Sequence, residues 1–487
     1  MAVQHWLGLD IGTSSVKALL VGPEGAVSAR ADVPYDSTYG PGGEAEQSPH
    51  DYLAATRDAI ARCGVAGVAL GGIGLVGQTP TLVLADADAE PVRPALTWQD
   101  ARAEAEAQEL AAELGPSEPL VGIDLPWAPS YPPAKLLWLS RHEPETLRRT
   151  RWALQPKDFV GLHLTGSPLS DPWSTKGLCN VIELAAATEI MARTGWSDDV
   201  VPPLAPAWEA RGAVTARAAS AFGVPEGTPV SVGWSDALAG MLAVGAFDAP
   251  SGFVLSGTSS IVGLSTAGRT PAGGSLFAIP DTCAPLSVVY GPTQSGGASV
   301  AWLASVLGSG IPEVLALAST APAESGEPPV FVPYLAGERA PIWRTDVRGA
   351  FLGLSARDGA AELARAVVAG VCLSELHVLS SAETQLGARA GEVRVAGRGA
   401  SLAPWRKARL AALQRPLDVL DESDASALGA AMLAAAAANG GDLARTRGLR
   451  GSLERVEPTA AETDRGPGDF ERYLQGSDVC LAWSRAT

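Results

Sequence analysis

The sequence predicts a duplicated α/β protein of two like-built lobes, and three observations predict it. The tetrapeptide Gly-Thr-Ser-Ser occurs at Gly12–Ser15 and again at Gly257–Ser260, 245 residues apart in a chain of 487. Each copy interrupts strand-like residues: Leu7–Ile11 and Val16–Val21 around the first, Phe253–Ser256 and Ile261–Leu264 around the second. Strands followed by helices then recur in both halves. A Gly-Thr-Ser turn presents backbone N–H groups and hydroxyls in one small concavity, which suits a phosphate. Two such turns facing each other across a cleft would hold the β- and γ-phosphates of a nucleotide. Asp10 precedes the first turn and nothing acidic precedes the second; a lone carboxylate beside a phosphate cradle suggests a magnesium site. The plainer alternative is two ordinary hairpins that share a turn string.

Taken in order, residues 6–35 read as a three-stranded meander with Pro23-Glu24-Gly25 as its turn. Residues 51–63 look helical and 65–76 form a Val/Gly/Ile strand. An Ala/Glu helix at 100–114 is capped by Gly115 and stopped by Pro116, and another helix covers 134–149. A strand at 228–233 leads into a small-residue helix at 237–246. The turn-rich Asp248–Gly252 places the domain boundary, giving lobes at 1–247 and 248–440. In the second half come a surface loop at 318–329, a helix at 359–386, a strand at 392–397 and an alanine-rich helix at 425–438. From 441 to 487 the composition turns charged and rich in Gly and Pro, which predicts a peripheral tail.

A net charge of −17 argues against a nucleic-acid or anionic-membrane surface. The cysteines (Cys63, Cys179, Cys283, Cys372, Cys480) are odd in number and far apart, which reads as free thiols in a reducing compartment. A strand begins within a few residues of the N-terminus, leaving no room for a signal segment. The apolar run 425–438 is short for a bilayer. A cytoplasmic enzyme is therefore expected. Gly72-Ile73-Gly74-Leu75-Val76-Gly77 fits the dinucleotide fingerprint, which needs a helix to start within it. The next residues, Gln78-Thr79-Pro80-Thr81-Leu82-Val83, read as strand instead. No G-x-x-x-x-G-K-[ST] string occurs.

Leu7-Gly8-Leu9-Asp10-Ile11-Gly12-Thr13-Ser14-Ser15-Val16-Lys17 resembles the opening phosphate hairpin of the FGGY carbohydrate kinases, and among them that of the xylulokinases. The likeness continues through Gly77-Gln78, through Arg93-Pro94-Ala95-Leu96-Thr97-Trp98-Gln99-Asp100-Ala101-Arg102, and through Pro133-Ala134-Lys135 and Pro156-Lys157-Asp158-Phe159. In the second half it includes Pro333–Pro341, Glu362–Val367 and Ala427-Leu428-Gly429-Ala430-Ala431, so residues 1 to about 440 are covered. The resemblance implies the actin-like, ribonuclease H-like ATPase fold, with two lobes around an interdomain cleft. It also implies ATP and Mg2+ as cofactors and a small sugar or polyol as the phosphate acceptor. It points to neither nucleic acid nor membrane, and it allows a homodimer.

By resemblance, the catalytic base is Asp236, in Gly233-Trp234-Ser235-Asp236-Ala237-Leu238-Ala239-Gly240. A carboxylate there could accept the proton of the attacking hydroxyl. Asp236 would equally N-cap the following helix, and capping would lower its pKa. Asp10, with Asp236, is the implied metal pair. Gly12, Thr13, Ser14, Gly257 and Thr258 would cradle phosphates, with Lys17 adding charge. On the nucleotide side stand Gly297 and the turn Gly397-Arg398-Gly399-Ala400, where Arg398 departs from the family's glycine. Gln78, Thr79, Trp98, Asp100, Arg102 and Asp236 are the implied sugar contacts. Where xylulokinases carry Met-His after Gly-Gln and Asn after the aspartate, this chain has Thr79, Pro80 and Ala237. That departure predicts that D-xylulose is a poor substrate and that a related ketose or polyol is preferred. The alternatives are a partner-driving ATPase of the actin or chaperone type, and a nicotinamide-dependent dehydrogenase.

Overall fold

The computed structural model describes residues 4–268, 274–320 and 328–486. Contacts divide the chain into two units. One comprises Met1–Ala243, Ile279–Pro285 and Ala425–Gly451; the other comprises Val244–Ala278, Leu286–Asp424 and Ser452–Thr487.

The first unit is built on strands β1 (His5–Ile11), β2 (Ser15–Val21), β3 (Val27–Pro34), β4 (Leu70–Gly77), β5 (Ala210–Ala213) and β6 (Pro229–Ser231). They lie in the order β5-β6-β4-β1-β2-β3. β1 runs antiparallel to β2 and parallel to β4. The short strand Trp234–Ser235 continues along the end of β4, with Ser235 opposite Gly77. Strand side chains alternate between faces. Leu7, Leu9, Ile11, Ile73 and Leu75 therefore enter one core with Tyr52 and Phe159, from the helices Pro49–Arg62 and Pro156–Thr165.

Gly8, Gly72 and Gly74 occupy the other face, where the helix Ala425–Ala438 lies directly on the sheet. A Cβ on Gly8 would fall 2.0 Å from the Ala427 carbonyl oxygen, and one on Gly74 1.7 Å from that of Ala430. Glycine in the strands and alanine on the helix let two backbones approach where any larger pair would collide. The fingerprint-like glycines thus serve packing. β4 runs on to Gly77 and no helix begins there, so the dinucleotide reading has no structural basis. Gly429 makes the same kind of contact on another side of the helix, where its Cβ would sit 2.0 Å from the Ala239 carbonyl oxygen.

The second unit repeats the plan with β7 (Gly252–Ser256), β8 (Ser260–Thr266), β9 (Phe277–Ile279), β10 (Ser287–Pro292), β11 (Val393–Gly397), β12 (Leu417–Val419) and β13 (Glu454–Val456). Their order is β9-β10-β8-β7-β11-β12-β13. β7 is antiparallel to β8 and parallel to β11, as β1 is to β2 and β4. The helix Ala360–Leu386 is long and apolar enough to cross a membrane, unlike the shorter 425–438 run singled out from sequence, but 72% of its apolar window is buried within the fold.

Several boundaries differ from the sequence reading. Residues 134–149 form two helices, Pro132–His142 and Pro144–Arg149, since Pro144 starts a helix better than it continues one. Residues 425–451 join the first unit because their helix packs on β1 and β4. The stretch 441–487, expected as a peripheral tail, supplies β13 at a sheet edge and the helix Ala460–Ala486, whose Tyr473 and Cys480 are buried. The loop expected at 318–329 begins inside the helix Ile311–Thr320, and its residues 321–327 lie outside the described residues.

The glycine–alanine contact predicts that Gly74→Ala destabilises the protein by at least about 2 kcal/mol. Gly448→Ala, where a Cβ meets nothing within 4 Å, should change it by less than about 0.5 kcal/mol. Urea midpoints of the two variants test this, and equal midpoints would contradict the packing account.

Candidate active site

In the first unit, the turn after β1 is fastened from behind by its carbonyl groups. Tyr35 Oη and Gln78 Nε2 both donate to the Gly12 carbonyl, the latter at 3.1 Å. Gln47 Nε2 donates to the Thr13 carbonyl at 2.6 Å. Gln47 is itself fixed by the hydroxyl of Tyr52 (2.7 Å) and the amide of Gln78 (2.8 Å). Among the described residues no protein acceptor takes the N–H groups of Thr13 and Ser14. The turn is thus left with its donors outward, the polarity a phosphate needs. Lys17 lies opposite Asp10 in the β1–β2 register, a pairing that puts both side chains on one face.

Asp10 is buried at the end of β1, where Ser426 Oγ donates to its Oδ2 at 2.5 Å. Asp236 follows the short strand that pairs with the end of β4, so both acids stand at the C-terminal ends of parallel strands that pair with β4. Asp236 Oδ1 accepts the Ala237 N–H at 2.7 Å, a contact with the adjoining backbone, and the helix begins at Asp236 itself. The pKa lowering expected from capping does not follow. Its pKa is pushed up to about 7, first by desolvation and then by the charge of Asp10; the Ala237 hydrogen bond and Lys176 pull the other way without prevailing. The carboxylate is reached by solvent yet has protein packed around it, so water screens it less than at an open surface.

The residues expected at the sugar divide in two. Gln78 is buried and its amide is committed to Gly12 and Gln47, while its carbonyl accepts from Thr81 Oγ1 at 3.1 Å. Asp100 is buried, accepting from the Ala45 N–H at 2.8 Å and from Arg102. Arg102 is held by Asp100 and Glu46, each at 2.7 Å, and lies over the Trp138 ring. These three hold the scaffold, because short polar strings in a loop satisfy one another before they meet a ligand. Trp98 and Thr79 remain accessible, and Trp98 Nε1 donates to Thr13 Oγ1 at 3.0 Å. Buried Lys135 anchors their segment, donating to the carbonyls of Pro80 (3.3 Å), Leu96 (3.2 Å) and Thr97 (2.7 Å); burial lowers its pKa to about 7.

In the second unit the same orientation is reached with backbone donors. The carbonyl of Gly257 accepts the Gly297 N–H at 2.9 Å, and that of Thr258 accepts the N–H groups of Gly296 (2.8 Å) and Ala298 (3.0 Å). Gly297, expected on the nucleotide side, commits its N–H to this turn. Ser260 Oγ donates to Glu375 Oε1 at 2.7 Å, and Arg409 joins Glu375 (2.9 and 3.0 Å) to Ser256 Oγ (2.8 Å), bracing both ends of the hairpin. The turn Gly397–Ala400 lies beside Ser256, and a Cβ on Gly397 would fall 2.2 Å from the Ser256 carbonyl oxygen. Gly397 and Gly399 have φ of 97° and 80°, which glycine adopts freely. Arg398 is exposed and Ala400 buried.

Sequence reasoning missed Tyr35, Gln47, Ser426 and Lys176. Only Ser426 carried a nearby signal, the Ala427–Ala431 string that follows it.

Residues 5–243 match the N-terminal domain of the FGGY family of carbohydrate kinases, and residues 252–438 match its C-terminal domain. The xylulose kinase of Escherichia coli is 32% identical over 446 residues, covering 89% of this chain and 90% of that protein. The xylulose kinase of Klebsiella pneumoniae is 31% identical over 373 residues, covering 75% and 76%. The crystal structure of xylulose kinase from Rhodospirillum rubrum is similar at a TM-score of 0.86 with 26% identity, covering 99% of this chain and 100% of that one.

The raised pKa of Asp236 makes a stability prediction. Between the unfolded carboxyl value of 3.8 and the folded value of about 7, the unfolded chain gives up this proton and the folded one keeps it. The group therefore costs stability as pH rises through that window. Asp236→Asn should be more stable than the parent at pH 8, with a smaller gap at pH 5. A gap that does not change between the two pH values would contradict the shift.

Proposed function

Because the chain belongs to the FGGY family of carbohydrate kinases, and is accordingly an ATP-dependent kinase of a small sugar or polyol, we propose Asp236 as the general base of its phosphoryl transfer. The observation that carries this assignment is the setting of Asp236 at the strand ends, where desolvation first and the charge of Asp10 second bring its pKa to about 7. A base titrating near neutrality combines a large ionised fraction with useful proton affinity. Its oxygen would orient and deprotonate the acceptor hydroxyl as that oxygen attacks the γ-phosphorus. A loose, metaphosphate-like transition state asks little more of the protein than positioning and charge.

The turns at Gly12–Ser14 and at Gly257–Thr258 are proposed to receive the phosphates of ATP on their outward N–H groups. Gly397–Ala400 is proposed on the base side, where Arg398 offers a planar cation able to stack on it. Asp10 and Asp236 supply hard carboxylate oxygens of the kind Mg2+ takes. Among the described residues no cluster of three acids or other ligating side chains exists, which fits an ion carried on nucleotide phosphates. When bound, it would neutralise phosphate charge. Trp98 and Thr79 are the proposed sugar contacts, and we place the enzyme in the cytoplasm, in keeping with its five free, buried thiols. Neither the partner-driving ATPase nor the dehydrogenase has support in the family to which the chain belongs.

Asp236→Asn is expected to lower kcat by at least ~10²-fold while ATP binding is kept, and the parent kcat should rise with pH through about 7. A variant retaining most of its kcat would remove Asp236 from the mechanism. Asp10→Asn should weaken the magnesium dependence of the rate, and an unchanged magnesium titration would contradict its role.

For the acceptor, Pro80 and Ala237 stand where the resemblance assigns a hydrogen-bonding His and Asn to xylulokinases, Thr79 puts a hydroxyl in place of a Met, and discrimination depends on such buried partners. We therefore propose a related ketose or polyol in place of D-xylulose. An ADP-release screen over pentuloses, tetruloses, hexuloses and pentitols tests this, and the highest kcat/KM on D-xylulose would overturn it.

A further inference from the structure

We propose that Lys176 determines acceptor specificity: its ammonium binds an oxygen of the sugar beside the hydroxyl that is phosphorylated. The inference rests on the reading of Asp236 as the base at that hydroxyl. Lys176 follows the short helical turn Trp173–Thr175 and has φ 48° and ψ 60°, the left-handed region in which a side-chain-bearing residue is strained. Such strain persists where the surroundings over-determine it, commonly at functional sites. The Nζ atom is held 3.8 Å from the centre of the Trp173 ring, a cation–π contact that fixes its direction while leaving its N–H donors uncommitted. Among the described residues no carboxylate lies within 4.0 Å of it and no protein acceptor takes its protons.

The neighbouring acid does not need this lysine. Asp171 is already paired with buried Lys157 at 2.9 Å and accepts the Ser174 N–H at 3.0 Å. Lys176 nevertheless feels the charges of both Asp171 and Asp236. Asp236 in turn feels Lys176. The turn Trp173–Thr175 packs against the short strand Trp234–Ser235 that leads into Asp236, which brings the lysine that follows the turn to the neighbourhood of the base. Desolvation draws its pKa down to about 8, so it remains largely charged at neutral pH. A half-buried cation with open donors next to the base recognises an electron-rich oxygen, here a sugar hydroxyl, carbonyl or carboxylate.

The test compares Lys176→Met and Lys176→Arg with the parent, using the acceptor of highest kcat/KM from the screen. Losing a charge-assisted contact should raise the acceptor KM by at least ~10-fold in Lys176→Met, with the KM for ATP unchanged and the thermal midpoint kept. Lys176→Arg, which retains the charge, should recover most of the loss. An unchanged acceptor KM in Lys176→Met would overturn the proposal, as would equal increases in both KM values or the lack of any rescue by arginine. Calorimetric titration of the same acceptor into Asp236→Asn and into Asp236→Asn/Lys176→Met separates the two readings. Weaker binding only in the double variant supports Lys176 whatever Asp236 does in catalysis, and equal binding overturns the proposal. An Asp236→Asn enzyme that still turns over sinks the base assignment alone.

Discussion

The first unit depends on one close contact, the alanine-rich helix Ala425–Ala438 lying on the glycines of β1 and β4. Backbone meets backbone at Gly8 and Gly74, and again where Gly429 crosses Ala239. Three features of the site follow from that approach. The helix start brings Ser426 to Asp10. Its Gly429 side sets the depth of the helix that begins at Asp236. The sheet ends at β1 and at the short strand beside β4 then put two carboxylates close enough for the charge of Asp10 to raise the cost of ionising Asp236. A larger side chain at any of these glycines would have to move the helix, and with it the geometry of both acids.

The two hairpins show how one requirement is met by two kinds of chemistry. A turn that is to bind an anion must have its carbonyls turned away and held. In the first unit side chains do this, from Tyr35, Gln47 and Gln78; in the second, the N–H groups at the start of the helix Gly297–Leu307 do it. The repeated Gly-Thr-Ser-Ser string is therefore the common part, and the fastening differs because the flanking sequences differ.

That contrast explains what the sequence made legible. The hairpins, the succession of strands and helices along the chain and the family could be read from strings that must be contiguous to work. Asp10 was legible as the acid ahead of the first Gly-Thr-Ser turn, and Asp236 through the string Gly233–Gly240 that resembles the family's. The roles of Gln78, Asp100 and Arg102 were not, because a polar residue in a loop looks alike whether it meets a ligand or the Ala45 N–H and Glu46. The alanine helix was legible as a helix, but its place in the first unit depends on glycines about 350 to 420 residues earlier in the chain. The direction of the Asp236 pKa was misread because capping is a local feature and the opposing desolvation and Asp10 are not.

The central claim is that the fold desolvates Asp236 and sets it within reach of the Asp10 charge, which together make Asp236 a base that titrates near neutrality. Direct titration of the Asp236 carboxyl carbon by 13C NMR, in the parent and in Asp10→Asn without nucleotide, tests it most plainly. The account predicts a midpoint of about 7 in the parent and a lower one once the charge at Asp10 is removed. A midpoint near the ordinary 3.8 in both proteins would contradict it.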